Sequence, residues 1–496
     1  MRAMPRSLVG SALILGLLVQ GPTLHASDNS LIEAVRAHDI DTVQALLKQQ
    51  VDVNAPEPDG ATALHWAAYE DDLSLARLLT DAGAVVDVGN DYGVTPLSLA
   101  CDNGAAAMVT LLLEAGADPE VARTTGETPL LTCARTGNVD AVRALLSHGA
   151  DPNAAESWHD QTALMWAVGE GHTKVARVLV EHGADVQARS KGGFTALLIA
   201  ARVDDRGLAD WLIDAGADVN DAAPDGTTPL MVATIRGHVP LAIFLLERGA
   251  DPNTVEPGFA PLHWAAGSWD TLLTGGPLRI DTDRVDEWRS LNGIRTGKLE
   301  LVRSLLEHGA DPHARLTKLP PSYGFSSSRF KVSLIGATPF LLAAMDANVE
   351  VMAALDEAGA DVYAGTDENT TPLMAAAGLG QVPAETRVTA TQSFDAVEYL
   401  LERGAYVNAV NARGRTALHG AAHIRSDAIV QLLAAHEASL NVADEKGITP
   451  LMIAEGGGHV LLPGLGGGST ADLLRALGGT ETTSDLIKIY DKGKIR

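Results

Sequence analysis

The sequence is poor in cysteine: Cys101 and Cys133 are the only two in 496 residues, so at most one internal disulfide can form. Basic residues are scarce too, with 37 Lys and Arg against 63 Asp and Glu and a formal charge of −26. So acidic a surface repels nucleic acid and anionic lipid beyond a Debye length, which sets DNA binding aside and leaves partners that are neutral, basic or locally matched. No stretch after Val19 is long and apolar enough to span a membrane. Gly-x-Ser-x-Gly and His-Glu-x-x-His are both absent, and no nucleophile stands with a base, so no enzyme is expected.

What the chain has is repetition. One phrase starts at Asn29, Thr62, Thr95, Thr128, Thr162, Thr195, Thr228, Ala260, Thr338, Thr371, Thr416 and Thr449, mostly 32 to 34 residues apart. A fixed period of this size indicates stacked copies of one supersecondary unit, a solenoid. Thr caps a first helix, Pro or Ala takes its first position, and Leu follows, or Phe340 in one unit. Three residues later comes Ala, with Cys133 the exception, as expected where helices touch. A second helix with apolar pairs such as Leu112-Leu113 usually ends in a left-handed glycine such as Gly83 or Gly149.

These residues resemble the ankyrin repeat: TALHWAA at 62–68, HGADPNA at 148–154 and RGADPNT at 248–254 are close to its consensus, and the likeness spans roughly Asn29 to Gly479. The resemblance implies an all-α repeat solenoid of about twelve helix-turn-helix units with β-turn fingers, a concave face of first helices and fingers, and a binding role.

The first 26 residues stand apart. Arg2 and Arg6 precede an apolar Leu8 to Val19 and a small Ala26, the pattern of a cleaved secretory signal. A mature chain is expected to begin near Ser27, periplasmic or secreted, and loss of the two arginines takes the charge from −26 to −28. The expected order is then regular repeats over 27–257, interrupted repeats over 258–479 and a tail over 480–496. Each cysteine replaces an alanine on the first helix of consecutive repeats. Packed helix axes lie about 8–10 Å apart and bridging needs Cα atoms within roughly 7 Å, so two buried free thiols are expected.

The excess residues can be placed. An insertion separates the two helices of repeat eight, between about Gly267 and Thr296, and another enlarges the following finger over Leu316 to Ser333. Repeat ten gains its excess near Leu379 to Gln392, and repeat twelve in Gly456 to Gly468. Such insertions map to loops and often mark a binding face. The partner-binding residues expected are Trp264, Trp269, Trp288, Lys318, Tyr323, Phe325, Arg329, Phe330 and Leu342, with Trp166 on the same face. Acidic residues Asp281, Asp283, Asp286 and Glu287 load the first insertion, and Lys318, Arg329 and Lys331 the enlarged finger.

The expected partner is another exported protein. The alternative is a peptide or small-ligand sensor whose loops close over a floor at Ala375 and Gly420, where the lining dwindles. No cofactor and no metal are expected. His419 and His423 have metal spacing but His419 occupies the structural His slot, and Asp281 to Glu287 lacks the glycine turn and distal Glu of an EF-hand. Stability should be additive along the stack, with the interrupted repeats opening first.

Overall fold

The computed structural model describes residues 30–255, 258–269, 294, 296–318, 332–381, 388–456 and 468–480. Among these lie 24 helices and no strand, only an isolated bridge between Ala155 and Thr162. The chain divides into two compact units, Met1–Thr124 and Thr125–Arg496.

Unit 1 holds three helix pairs: α1 (Ser30–Arg36) and α2 (Ile40–Lys48), α3 (Ala63–Tyr69) and α4 (Leu73–Asp81), α5 (Pro96–Asp102) and α6 (Ala106–Glu114). Unit 2 opens with α7 (Pro129–Thr136) and α8 (Val139–Ser147), α9 (Ala163–Gly169) and α10 (Thr173–Glu181), α11 (Ala196–Val203) and α12 (Arg206–Asp214). It continues with α13 (Pro229–Arg236) and α14 (Val239–Glu247), α15 (Pro261–Ala266) and α16 (Lys298–Glu307), α17 (Pro339–Met345) and α18 (Val349–Glu357). Last come α19 (Pro372–Ala376) and α20 (Ala390–Glu402), α21 (Ala417–His423) and α22 (Asp427–Ala435), α23 (Pro450–Ala454) and α24 (Ser469–Leu477).

The slots act as their chemistry requires. Thr338 accepts the N–H of Leu341 at 3.2 Å and Thr95 that of Ser98 at 3.2 Å, capping first helices whose prolines need no donor. Leu64, Leu97, Leu130 and Phe340 are wholly buried with the small Ala67, Ala100 and Ala343, so neighbouring helices approach closely. His148, His182 and His308 turn Nδ1 onto the carbonyls of Ala144, Val178 and Ser304 at 2.7–2.8 Å, satisfying orphan acceptors at second-helix ends.

Neither cysteine is a free thiol. Cys101 and Cys133 are both disulfide-bonded, which corrects the expectation of two buried thiols. Axis spacing is the wrong measure, because Cα atoms stand about 2.3 Å off the helix axis and facing positions come correspondingly closer than the axes do.

The interruptions fall where the count puts them, between α15 and α16, α16 and α17, α19 and α20, and α23 and α24. One boundary differs: α20 starts at Ala390, inside the interval expected as loop, because Thr389 and Gln392 form a capping box that adds a turn. The first helices of the interrupted repeats are also short. Helix α15 has six residues, α19 five and α23 five, against seven or eight elsewhere.

Glu437 stands where most units have the C-terminal glycine and takes φ 64°, as Gln50 does in repeat one with φ 59°. A side chain in the left-handed region costs about 1–2 kcal/mol, part of which glycine gives back as unfolded-chain entropy. The bond from Asn408 Nδ2 to Glu437 O at 2.9 Å needs only backbone. Glu437→Gly is therefore expected to stabilise repeat eleven by about 0.5–1 kcal/mol, read as slower amide exchange in α22; unchanged or faster exchange would contradict it.

Candidate interaction surface

The histidines of the repeat phrase are committed internally. His65 accepts the Thr62 N–H on Nδ1 at 3.0 Å and donates from Nε2 to Val94 O at 2.9 Å. His263 links Ala260 N–H and Ala314 O at 3.0 Å each, and His419 links Thr416 N–H and Ile448 O at 3.1 and 3.2 Å. Each ring thus ties its own helix start to the next finger. Burial pushes His263 and His419 down to about 4 and lowers His65. His423 gives its Nε2–H to Gln381 O at 3.0 Å, so His419 and His423 serve two different carbonyls.

The residues proposed as a groove floor are covered by the chain itself. Trp264 is 1% exposed, with Phe259 5.6 Å from it, centroid to centroid, and Trp269 stacked on it at 5.1 Å and 16°. Trp269 is buried too, and its Nε1 donates to Trp264 O at 3.3 Å. Leu342 is buried, and a Cβ on Gly267 would stand 3.3 Å from Leu342 Cβ. At Gly420 a Cβ would meet Leu379 N at 2.7 Å and Ala377 O at 2.9 Å. Trp264 and Leu342 are therefore core rather than open lining, and the space expected above Ala375 and Gly420 is filled. The cause is the short first helices: the chain turns off a residue or more early, at Gly267 and at Gly378 (φ 102°), and folds back over the following repeat.

Lys298 clamps the base of the first insertion. Its Nζ donates to Gly267 O at 2.9 Å, Ser268 Oγ at 3.3 Å and Asp346 Oδ2 at 2.7 Å. Lys318 is exposed, with its stem over Gly258 and its N–H on Gly258 O at 3.2 Å. Trp166 is half-buried, and its Nε1 has no hydrogen-bond partner among the described residues. Trp66, at the same slot in unit 1, lies beneath the Arg36 guanidinium at 4.2 Å and donates to Glu57 Oε2 at 2.7 Å. Trp288, Tyr323, Phe325, Arg329 and Phe330 lie outside the described residues, as do Asp281 to Glu287.

Sequence reasoning missed the finger tip at Trp158. Trp158 is 73% exposed at the tip of its finger. The buried Glu156 carboxylate accepts the N–H groups of Trp158 at 2.6 Å, His159 at 2.9 Å and Gln161 at 3.2 Å, building a loop one residue longer than its neighbours. The 34-residue step from Thr128 to Thr162 was its signal.

Adjacent fingers are joined by one recurring backbone bond. In unit 1, Asp91 N–H donates to Asp59 O and Thr124 to Tyr92 O; in unit 2, Ser157 donates to Thr125 O, Lys191 to His159 O, Asp367 to Ile335 O, Ala412 to Glu368 O and Glu445 to Arg413 O, all at 2.7–3.3 Å. Pro224 occupies the donor slot of repeat seven and has no N–H to give. Its ring packs on Gly193, where a Cβ would be 2.2 Å from Pro224 Cδ. Arg189 stitches these fingers instead, donating to Gly193 O at 3.1 Å and Ala222 O at 2.9 Å and pairing with Asp221.

Comparison with known proteins agrees with this architecture. The family described as Ankyrin repeats (3 copies) matches residues 31–123, 120–190, 197–273 and 387–462. The chain is similar to Palmitoyltransferase akr1 of Schizosaccharomyces pombe, 41% identical over 64 residues, which are 12% of this chain and 10% of that protein. It is also similar to Rabankyrin-5 of Homo sapiens, 46% over 61 residues, and to Caskin-1 of Rattus norvegicus, 35% over 74, each 12% of this chain and 5% of that protein. The chain thus matches a tenth or less of these relatives' length, and the likeness to the palmitoyltransferase covers only its repeats. Ankyrin repeats imply a role in protein–protein interaction. No helix among the described residues is long and apolar enough to cross a membrane.

Proposed function

The chain belongs to the ankyrin repeat family, and from that premise we propose that it is an exported, non-catalytic scaffold that holds another exported protein. The observation that carries the export is the state of Cys101 and Cys133, both disulfide-bonded, because disulfides persist in oxidising compartments and are rare where glutathione and thioredoxin act. The charged start, short apolar stretch and Ala26 support the same assignment. Protein holding is supported by the repeat stack, whose buried polar slots serve the fold and leave recognition to what stays exposed. With Trp264 and Leu342 in the core, that means Lys318, the open part of Trp166 and the finger tips.

Fractionation of the native cells tests both halves. The mature protein is expected outside the cytoplasm with an N-terminus near Ser27, neither cysteine reacting with iodoacetamide until a reductant is added, and cross-linking is expected to join it to an exported protein in stoichiometric amount. An intact Met1 in the cytosol with both thiols open to alkylation would overturn the export, and monomeric protein throughout would overturn the scaffold.

A further inference from the structure

We infer that the finger edge of repeats five to eight is a docking site for an extended, basic segment of a protein partner, with one apolar side chain seated between the fingers of repeats seven and eight. This rests on the protein-holding function proposed above. A cavity of about 560 Å³ opens there, lined by Asn220, Ala222, Pro224, Asp251, Asn253 and Val255 among others. Its polar walls are already braced. Asn220 donates to Gly249 O at 3.1 Å and accepts Asp251 N–H at 2.7 Å, while Asn253 donates to Gly309 O at 2.8 Å. The apolar groups are not: Val255 is 48% exposed and Pro224 is open to solvent. A preformed, partly apolar recess with few polar groups suits one aliphatic side chain.

Two further observations select the occupant. Pro224 breaks the finger-to-finger ladder, so Gly192 O receives no N–H from the next finger and can accept one from an added extended backbone. Asp251 lines the recess and Asp225 follows Pro224 of its wall in the chain, both exposed, whereas Arg189 is already tied to Asp221 and two carbonyls. A lysine or arginine beside the seated residue matches that field, in keeping with the overall charge of −26. Trp158 stands three fingers before Val255 on the same edge. At about 10 Å per repeat and about 3.3 Å per extended residue, roughly nine residues bridge the two.

The test uses the full chain and fluorescein-labelled peptides of alternating lysine and valine, about ten and about four residues long, with glutamate-for-lysine counterparts. Anisotropy should show salt-sensitive binding of the lysine peptides and none of the glutamate peptides. Asp225→Asn with Asp251→Asn keeps the turn acceptors used by Thr227 and Asn253 and is expected to weaken both lysine peptides about tenfold and flatten the salt dependence. Ala222→Trp should fill the cavity and abolish binding. If circular dichroism shows it misfolded, the Asn pair decides. Trp158→Ala should weaken the long peptide severalfold and leave the short one unchanged.

Equal binding of glutamate peptides, or binding unmoved by the Asn pair, would overturn the inference. Cross-linking with the same variants separates the two levels. A partner captured by the wild type and equally by the Asn pair would refute this site while the scaffold stands. Peptide binding as expected, with no partner captured by the wild type, would refute the scaffold and leave the site.

Discussion

Trp264→Ala should cost about 3–5 kcal/mol, the range for emptying a buried aromatic site. The indole is 1% exposed, stacked on Trp269 and flanked by Phe259, so truncation removes one large side chain and uncovers the face of another. The cavity cannot easily collapse, because Lys298 holds Gly267 and Asp346 in place around it. In a repeat stack the loss stays local, since each unit contacts only its neighbours. Amide exchange in α15, α16 and α17 should accelerate, while α9 to α12 stay protected. The control is Trp66→Ala, at the same slot but half-exposed and held by Arg36 and Glu57, for which about 1–2 kcal/mol is expected. Urea unfolding followed by amide exchange separates the variants. Equal losses at the two positions, or α15 and α17 still protected in Trp264→Ala, would show that Trp264 is not the keystone of repeat eight. A binding loss in Trp264→Ala alone would report unfolding rather than a lost contact, so Trp264 is a poor probe of docking.

Most of the architecture was legible because each slot has a local cause. Thr before Pro, Leu after it, Ala at helix contacts and a left-handed glycine after the second helix are short-range requirements, and a constant period carries them along the chain. Counting excess residues placed the interruptions. It could not say where within them the chain first turns. That depends on whether α15 and α19 lose their last turn, and then on what Trp269 and Leu379 land upon. Gly267 and Gly378 were visible, but the close approach of Gly420 to the Ala377–Leu379 backbone is a tertiary fact. Trp264 was expected to line the binding face, whereas its burial comes from a residue five positions on. The cysteines were misjudged through a distance between axes rather than between Cα atoms. Trp158 and Pro224 left traces in the sequence, a 34-residue step and a proline in a donor slot, but neither carries weight until the ladder between fingers is seen. The site remains less legible than the fold because docking surfaces are made of what the repeat rule leaves free.

Acidification from pH 7 to 5 should weaken unit 2 through His263 and His419. Both rings are buried and accept a backbone N–H on Nδ1, so protonation would set a second N–H against that donor inside the core. Folded values near 4 lie below the roughly 6.5 of an unfolded histidine. Between these limits the unfolded chain binds protons the folded chain refuses. The contribution is full above about 6.5 and declines as pH falls toward 4, by about 2 kcal/mol per ring at pH 5. Neighbouring charges modulate this: Asp311 faces His263, and for His419 the buried pair of Arg415 and Asp444, 3.3 Å apart, pulls in opposite directions. Relief of repulsion among the surplus carboxylates acts the other way, so the measurement compares variants rather than absolute stability. His263→Asn and His419→Asn should each be less stable than the wild type at pH 7.5 and should close most of that gap by pH 4.5, with the exchange changes confined to α13–α17 and α19–α23 respectively. Stability curves for wild type and variants that run parallel across this range would show that neither histidine titrates on unfolding as its geometry requires.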